Sequence, residues 1–231
     1  MTSLVQSPTV WWEHLGTMGY DEALQIQEGR AEQLLRQQLE TQTVYAVEHP
    51  PTITIGRNGT EDHIVASSEW LKQMGFAVRQ VDRGGDVTYH GPGQAVLYPV
   101  LHLAPWGNDV GHYVRLLEEC VISALRTATI EGERLEGYPG VWVEDQKVCA
   151  IGARVKRRPN GEFVTSHGLA LNVTTDLSHF QAIVPCGIAD KGVTSVSQLL
   201  GITVEFSDWE NRLKRAFQEI FNVTIEGGDS L

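Results

Sequence analysis

The sequence predicts an α+β fold with a mixed, largely antiparallel sheet and packed helices. Short β-branched runs occur in hairpin-like pairs, a few amphipathic helical stretches lie among them, and no βαβ unit repeats along the chain. With 231 residues, of which 42% are hydrophobic, the chain fits one globular domain with a full core. We expect that core to cover about residues 20–222 and the tail over 226–231 to be flexible.

Apolar residues at helical spacing predict four helices. The first covers Asp21 to Leu39, and a short second helix lies near Ser68 to Met74. A long third helix follows from Tyr113. The last begins at Ser207, whose hydroxyl is expected to cap the first turn while Glu210 completes a capping box.

Short runs of β-branched and apolar residues predict the strands. These cover Thr43 to Glu48, Thr52 to Ile55, Ala77 to Val81, Val87 to Tyr89, Ala95 to Leu103, Val141 to Val143, Lys147 to Val155 and Ser166 to Val173. Between the first two, His49-Pro50-Pro51 prevents continuous pairing and predicts a bend. Turns at Asp145-Gln146 and Pro159-Asn160-Gly161 predict two successive hairpins among the last three.

Composition excludes several classes of protein. The net charge of −11 repels phosphate backbones, so no nucleic-acid partner is expected. No run of eighteen apolar residues and no export signal is visible, so no membrane association is expected either. Three cysteines, Cys120, Cys149 and Cys186, fit neither a disulfide framework nor a thiolate metal site, which favours a reducing cytoplasm. Cys120 lies on the apolar face of the third helix and is expected in the core.

One basic cluster stands out against the acidic composition. It consists of Arg154, Lys156, Arg157 and Arg158. Such a cluster is either a solvated strand end or a docking site for an acidic protein, because opposite charges accelerate encounter.

Several standard catalytic motifs are missing from the sequence. It contains no G-x-x-x-x-G-K-S/T, G-x-G-x-x-G, H-E-x-x-H or G-x-S-x-G, so ATP, dinucleotide, zinc-protease and serine-hydrolase chemistry lose their usual support. Two glycine turns, Arg83-Gly84-Gly85 and Gly91-Pro92-Gly93, precede strands rather than helices. We expect them to let backbone approach a ligand closely.

Cys186 is the candidate nucleophile. Pro185 before it and Gly187 after it predict a sharp turn that exposes the thiol, although a buried inert cysteine is the commoner situation. A nucleophilic thiol needs a nearby base or cation, and His90, His167 and Lys147 are all candidates. Lys147 opens an otherwise apolar strand, where a lysine is more often an edge residue that extends to solvent.

Ordered segments of the chain resemble the lipoyl(octanoyl) transferases. The run Arg83 to Gln94, RGGDVTYHGPGQ, matches the signature segment of that family. Matching segments follow in the family's order: Gly140 to Val143, Lys147 to Gly152, Ser166 to Asn172, Pro185 to Ile188 and Gly192 to Ser195. The basic hairpin over Lys156 to Phe163 and both termini match the family pattern loosely.

The resemblance implies a biotin/lipoate protein ligase catalytic-domain-like fold and an octanoyltransferase. Cys186 would hold an acyl thioester and Lys147 would lower its pKa, with no cofactor and no metal. Fourteen residues would line the substrate pocket: Arg83, Gly84, Gly85, Asp86, Val87, Thr88, Tyr89, His90, Ala150, Ile151, Gly152, Gly168, Leu169 and Ala170.

The partners implied by the resemblance are two kinds of protein. Octanoyl-acyl carrier protein would be the donor. Lipoyl domains of 2-oxoacid dehydrogenase complexes and the glycine cleavage H protein would be the acceptors. Three alternatives stay open: an ATP-dependent lipoate or biotin ligase of the same fold, a Cys–His thioesterase, and an acyl or lipoyl-domain binding module in which Cys186 is incidental.

Overall fold

A computed structural model describes residues 7–184 and 191–227, which form two sheets and five α-helices. The helices are α1 (Tyr20–Leu35), α2 (Ser68–Gln73), α3 (Val110–Arg126), α4 (Val196–Leu200) and α5 (Phe206–Ile220). The strands are β1 (Thr9–Thr17), β2 (Gln42–Glu48), β3 (Thr52–Ile55), β4 (Ala77–Gln80), β5 (Val87–His90), β6 (Gln94–Val100), β7 (Glu133–Leu135), β8 (Tyr138–Val143), β9 (Gln146–Arg157), β10 (Phe163–Asn172), β11 (Gly192–Val193) and β12 (Thr224–Glu226). Short 3₁₀ turns cover Glu61–His63, Ala104–Trp106 and Leu177–Ala182.

The large sheet is mixed and mostly antiparallel, as predicted. Its strand order is β12-β1-β2-β6-β10-β9-β8-β7, and β11 lies beside β9. The two neighbours of β1, which are β12 and β2, run parallel to it. All other neighbouring strands in this order, from β2 to β7, are antiparallel to each other. Both predicted hairpins, β8–β9 and β9–β10, are confirmed.

The small sheet has the order β4-β3-β5, with β3 parallel to β4 and antiparallel to β5. It begins where the prolines end β2, so the bend at His49-Pro50-Pro51 carries the chain from one sheet to the other. Thr52 secures this crossing, because its hydroxyl donates to the Pro50 carbonyl at 2.9 Å.

Helices cover both faces of the large sheet. The core on one face contains apolar residues of α3 and α5 with Leu97, Leu169 and Leu171, and the core on the other contains α1 with Val96 and Ala170. Adjacent strand residues therefore alternate between the two cores, as β geometry requires.

The core extends further at both ends than predicted. β1 was not predicted, yet it lies between β2 and β12, and its Val10 and Trp12 are buried. At the other end, Thr224–Glu226 pairs with β1. The predicted limits of about 20 and 222 were therefore too narrow, while residues 228–231 of the predicted tail lie outside the described residues.

Helix ends differ from prediction where local chemistry was misassigned. The Ser207 cap is wrong: α5 begins at Phe206 after Glu205, without a side-chain cap, so Ser207 lies inside the first turn. α3 begins earlier than expected, because the Asp109 side chain accepts from the His112 amide and caps it. α1 ends at Leu35 rather than at Leu39.

Two of the four cations in the basic cluster are not free to dock a partner. Arg158 is 4% exposed, and its guanidinium donates to the Leu34 carbonyl at 2.8 Å, near the C-terminal end of α1. It also contacts Glu162 and Glu40. Arg154 forms ion pairs with Asp82 and Glu28. Lys156 and Arg157 are the exposed members, so the docking hypothesis now depends on these two.

We predict that Arg158→Ala lowers the free energy of unfolding by about 2 kcal/mol, because a buried carbonyl and two carboxylates lose their donor. Chemical denaturation measures this change. Arg157→Ala is the matched control at the neighbouring exposed position, where the guanidinium stacks on the Phe163 ring at 4.8 Å. It should cost less than about 1 kcal/mol. Equal losses in the two variants would contradict this assignment of Arg158.

Candidate active site

A cavity of about 260 Å³ lies where the loop before β5 meets β9 and β10. It brings together segments that are far apart in sequence. Thirteen of the fourteen predicted pocket residues line it: Arg83, Gly84, Gly85, Asp86, Val87, Thr88, His90, Ala150, Ile151, Gly152, Gly168, Leu169 and Ala170. Lys147 lines the same cavity.

Small residues leave this space empty. Gly152 lies opposite Gly168, and Ala150 opposite Ala170, across the β9–β10 pair. Gly152 also permits the loop to approach, because a Cβ there would lie 2.9 Å from the Gly84 carbonyl oxygen. The Gly84 amide in turn donates to the Ala153 carbonyl at 2.9 Å. The loop is thereby fixed against β9.

The loop is held from its other side by backbone after β3. The amides of Gly56, Arg57 and Asn58 donate to carbonyls of the loop at 3.0–3.1 Å. The buried Arg83 guanidinium adds donations at 2.9 Å to the Thr54 carbonyl and hydroxyl and at 3.0 Å to the Gly84 carbonyl. Arg83 therefore contributes to the shape of the wall as well as to its charge.

His90 is held in one tautomer by a chain of amides. Asn172 donates to the Thr194 carbonyl, and Gln94 donates to the Asn172 side-chain oxygen, each at 3.0 Å. The Gln94 oxygen then accepts from Nδ1 of His90 at 2.8 Å, which leaves Nε2 of His90 as an acceptor. Burial holds the pKa of His90 well below its usual value, and the nearby His49 and Arg83 lower it further.

His167 contributes a second neutral imidazole. Its backbone adopts φ 55°, and its amide donates to Gln27 at 2.7 Å. Nε2 contacts Asp82 at 3.2 Å, yet burial outweighs that carboxylate and lowers the pKa of His167 to about 4. Burial likewise lowers the pKa of His49, whose Nδ1 donates to the Met18 carbonyl at 2.8 Å. These imidazoles are uncharged at neutral pH.

Lys147 lies near the start of β9, where β11 pairs with it. Val193 is the register partner of Lys147, and the Thr194 amide donates to the Lys147 carbonyl at 3.0 Å. The Lys147 ammonium lies 4.7 Å from the centroid of the Trp142 ring. Lys191 lies over the same ring at 5.9 Å and pairs with Asp145 at 2.6 Å.

Cys186 lies outside the described residues, as do its neighbours from 185 to 190. Both flanks of this segment are described. Before it, the Val184 amide donates to the His63 carbonyl at 2.8 Å. After it, Gly192 and Val193 pair with Gln146 and Lys147. The described residues that follow this segment are therefore paired with the start of β9, beside the cavity lysine.

Tyr89 is the predicted pocket residue that does not line the cavity. Its ring is buried instead against Phe76 and Phe180, and its hydroxyl contacts Nδ1 of His179 at 2.7 Å. Residues that sequence reasoning missed include Gln94 and Asn172, which line the cavity at the ends of apolar strands. Their polarity in such strands was the available signal. Tyr20 and Tyr98 also line the cavity; Tyr98 follows the signature segment in a Tyr98-Pro99 pair that resembles the family, whereas no local pattern marks Tyr20.

Within residues 7–184 and 191–227, no three metal-ligating side chains cluster around a potential ion site. No described helix has the length and apolarity needed to cross a bilayer.

Comparisons with known proteins agree with this geometry. Residues 19–218 match the family model described as the lipoyl protein ligase A/B catalytic domain. An octanoyltransferase of Chloroflexus aggregans is 48% identical over 91% of this chain and 94% of its own length. One of Caldicellulosiruptor bescii is 45% identical over 92% of this chain and 91% of its own.

Solved structures share the fold at low sequence identity. A putative lipoate protein ligase from T. acidophilum with bound lipoic acid has a TM-score of 0.70 and 17% identity, covering 96% of this chain and 88% of its own. A lipoate-protein ligase A bound with ATP has a TM-score of 0.70 and 16% identity over the same shares. The fold is thus that of lipoate ligase catalytic domains, as the sequence predicted. The chain belongs to the lipoyl protein ligase A/B catalytic-domain family, and its curated relatives place it among the octanoyltransferases of that family.

Proposed function

We propose that the protein moves an octanoyl group from acyl carrier protein to a lysine of lipoyl domains through a thioester on Cys186. The cavity is the observation that carries this proposal. It joins the family's signature segments to Lys147, and both flanks of the Cys186 segment are anchored near its residues. The proposed acceptors are the lipoyl domains of 2-oxoacid dehydrogenase complexes and the glycine cleavage H protein.

The size of the cavity supports a medium-length acyl chain. Its volume is about 260 Å³ and its lining is mostly apolar, which suits an acyl chain. An octanoyl group has eight carbons and one carbonyl oxygen. Strand residues with small side chains provide this space, and the neutral imidazoles place no positive charge of their own beside the chain.

The first step is thioester exchange. The Cys186 thiolate attacks the carbonyl carbon of the donor thioester, a new C–S bond forms, and the bond to the carrier's thiol breaks. The carrier leaves as a thiolate and takes up a proton. Lys147, as a cation, would stabilise the Cys186 thiolate before attack.

The second step forms the product amide. The neutral amine of the lipoyl-domain lysine attacks the Cys186 thioester, the C–S bond breaks, and the amine's proton passes to the departing thiolate or to Lys147 in its neutral form. Thioester exchange is nearly balanced in energy and amide formation is downhill, so neither step requires ATP. An enclosed cavity would protect the intermediate from hydrolysis.

A reducing cytoplasm suits this chemistry, because the nucleophile must stay a free thiol. Cys120 and Cys149 are free and buried. Burial raises the pKa of Cys149 to about 12, so this thiol is a poor nucleophile.

We predict that octanoyl-acyl carrier protein transfers one octanoyl group to Cys186 in the absence of ATP. Mass spectrometry of the protein and its peptides locates the added mass. Cys186→Ser should abolish the hydroxylamine-labile adduct, whereas Cys149→Ala, which removes the buried thiol, should keep it. An adduct elsewhere, or a requirement for ATP with pyrophosphate exchange, would overturn the proposed function in favour of a ligase.

We predict that Lys147→Met slows acylation of Cys186 about tenfold at pH 7, because the thiolate loses its stabilising cation. The rate should recover as the pH rises towards about 8.5, the usual pKa of a thiol. Single-turnover acylation between pH 6 and 9, at roughly half-unit steps, measures this. Lys191→Met is the matched control, since Lys191 lies over the same Trp142 ring, and it should retain most of the rate. A pH profile identical to wild type would exclude Lys147 from this role.

We predict that Ala150→Leu shifts the preference towards shorter acyl chains. The three added carbons would occupy part of the cavity beside the β9–β10 wall. Acylation by octanoyl carrier protein should fall about tenfold while butyryl transfer persists. Ala150→Gly widens the same wall and should shift the preference towards decanoyl. Unchanged chain-length ratios in both variants would show that the acyl chain lies elsewhere.

A further inference from the structure

We infer that His63 and Asp86 form a positioning pair that holds the segment leading into Cys186 against the wall of the acyl cavity. This inference rests on the proposed function, because it concerns the geometry of the same nucleophile. Neither residue would contact the reacting atoms. Their contact joins the cavity wall to the chain that leads into Cys186, and the reaction requires these two parts to keep a fixed relative position.

Asp86 belongs to the cavity wall, and its carboxylate bonds to His63 and to the first amide of β5. One oxygen accepts from the Val87 amide at 2.7 Å and lies 2.9 Å from Nδ1 of His63. The other oxygen lies 2.7 Å from the same nitrogen. The side chain of Asp86 is 12% exposed and that of His63 is 32% exposed, so the contact is well shielded on the carboxylate side.

His63 connects this carboxylate to the chain that precedes Cys186. Its carbonyl accepts from the Val184 amide at 2.8 Å, and the next residue, Ile64, forms an antiparallel bridge with Ile183. The amides of Val65 and Ala66 then both donate to the Ala182 carbonyl, at 2.9 and 3.2 Å. Three consecutive residues before Pro185 are therefore bonded to the chain over His63 to Ala66.

The described route from the cavity to Val184 is thus short and continuous. Asp86 is fixed through the cavity loop, which Gly56 and Asn58 bind by backbone hydrogen bonds. The His63 side chain bonds to Asp86, and its carbonyl bonds to Val184, two residues before Cys186. Loss of the His63–Asp86 contact would leave the Ile64–Ile183 bridge intact, but the bridge could then shift relative to the cavity. A displacement of about 1 Å is enough to slow a reaction strongly.

The test uses the full chain with variants of both partners. We expect His63→Ala and Asp86→Ala each to slow single-turnover acylation of Cys186 at saturating donor by about tenfold. The donor concentration that gives half of the maximal rate should change less than about twofold, because the variants keep the cavity that binds the acyl chain. The double variant should be no slower than either single variant, as expected for two residues acting through one contact. His63→Asn, whose amide can replace Nδ1 as donor, should restore the rate to within about threefold of wild type.

His14→Ala is the matched control. His14 and Glu210 form a similar histidine–carboxylate contact at 3.1 Å between β1 and α5. Its loss should leave the acylation rate unchanged. Thermal unfolding of each variant distinguishes loss of positioning from loss of the fold. If an alanine variant of His63 or Asp86 unfolds, His63→Asn and Asp86→Asn serve as conservative variants.

Alkylation of Cys186 by iodoacetamide gives a readout that does not depend on acyl transfer. It should slow in His63→Ala and recover in His63→Asn, because the thiol moves relative to Lys147. The inference would be overturned if His63→Ala had the same alkylation rate and the same acylation rate as wild type. It would also be overturned if the rate losses of the two single variants multiplied in the double variant. A wild type that alkylates at Cys186 but never accepts octanoyl would instead overturn the proposed function.

Discussion

The cavity depends on one constraint, the pairing of small residues across β9 and β10. Because Gly152 faces Gly168 and Ala150 faces Ala170, these strands stay hydrogen-bonded while the space above them remains open. Between these positions the same strands carry Ile151 and Leu169, which pack against the core that includes α3. Ile151 and Leu169 also line the cavity, so this pair of strands supplies packed core and cavity wall together.

Polar side chains can line the buried cavity because they form hydrogen bonds with one another. Burying an amide or imidazole without a hydrogen bond costs several kcal/mol, roughly 2–7 by transfer estimates. Gln94, Asn172 and His90 avoid that cost by bonding one another, and the chain ends on the Thr194 carbonyl. Thr194 also bonds the strand of Lys147, so the same contacts that satisfy buried polar groups connect β11 to the cavity.

Local patterns predicted what local chemistry determines. The bend after β2 and the two hairpins are encoded within a few residues, and all three are confirmed, although the first turn lies at Glu144-Asp145, one residue earlier than predicted. β1 was missed because Glu13 and His14 interrupt its apolar pattern, and its place in the sheet depends on partners more than 30 residues away, such as Gln42 opposite Val10. The proximity of Lys147 to the cavity could not be derived from the residues around it, because that proximity arises from pairing with β11 and from the fold as a whole. The resemblance to a family supplied it.

The same fold supports two ways of activating an acyl group, and the energy source decides what the protein must provide. A ligase that starts from a free acid must bind ATP to activate it, as the neighbouring structure with bound ATP illustrates. Under the proposed function the acyl group arrives already activated as a thioester, so the site needs a nucleophile, a nearby cation and exclusion of water. Among the described residues that line the cavity, Lys147 is the single lysine, and the histidines there are neutral. One lysine beside neutral histidines is therefore consistent with the proposed transfer from a thioester to an amine.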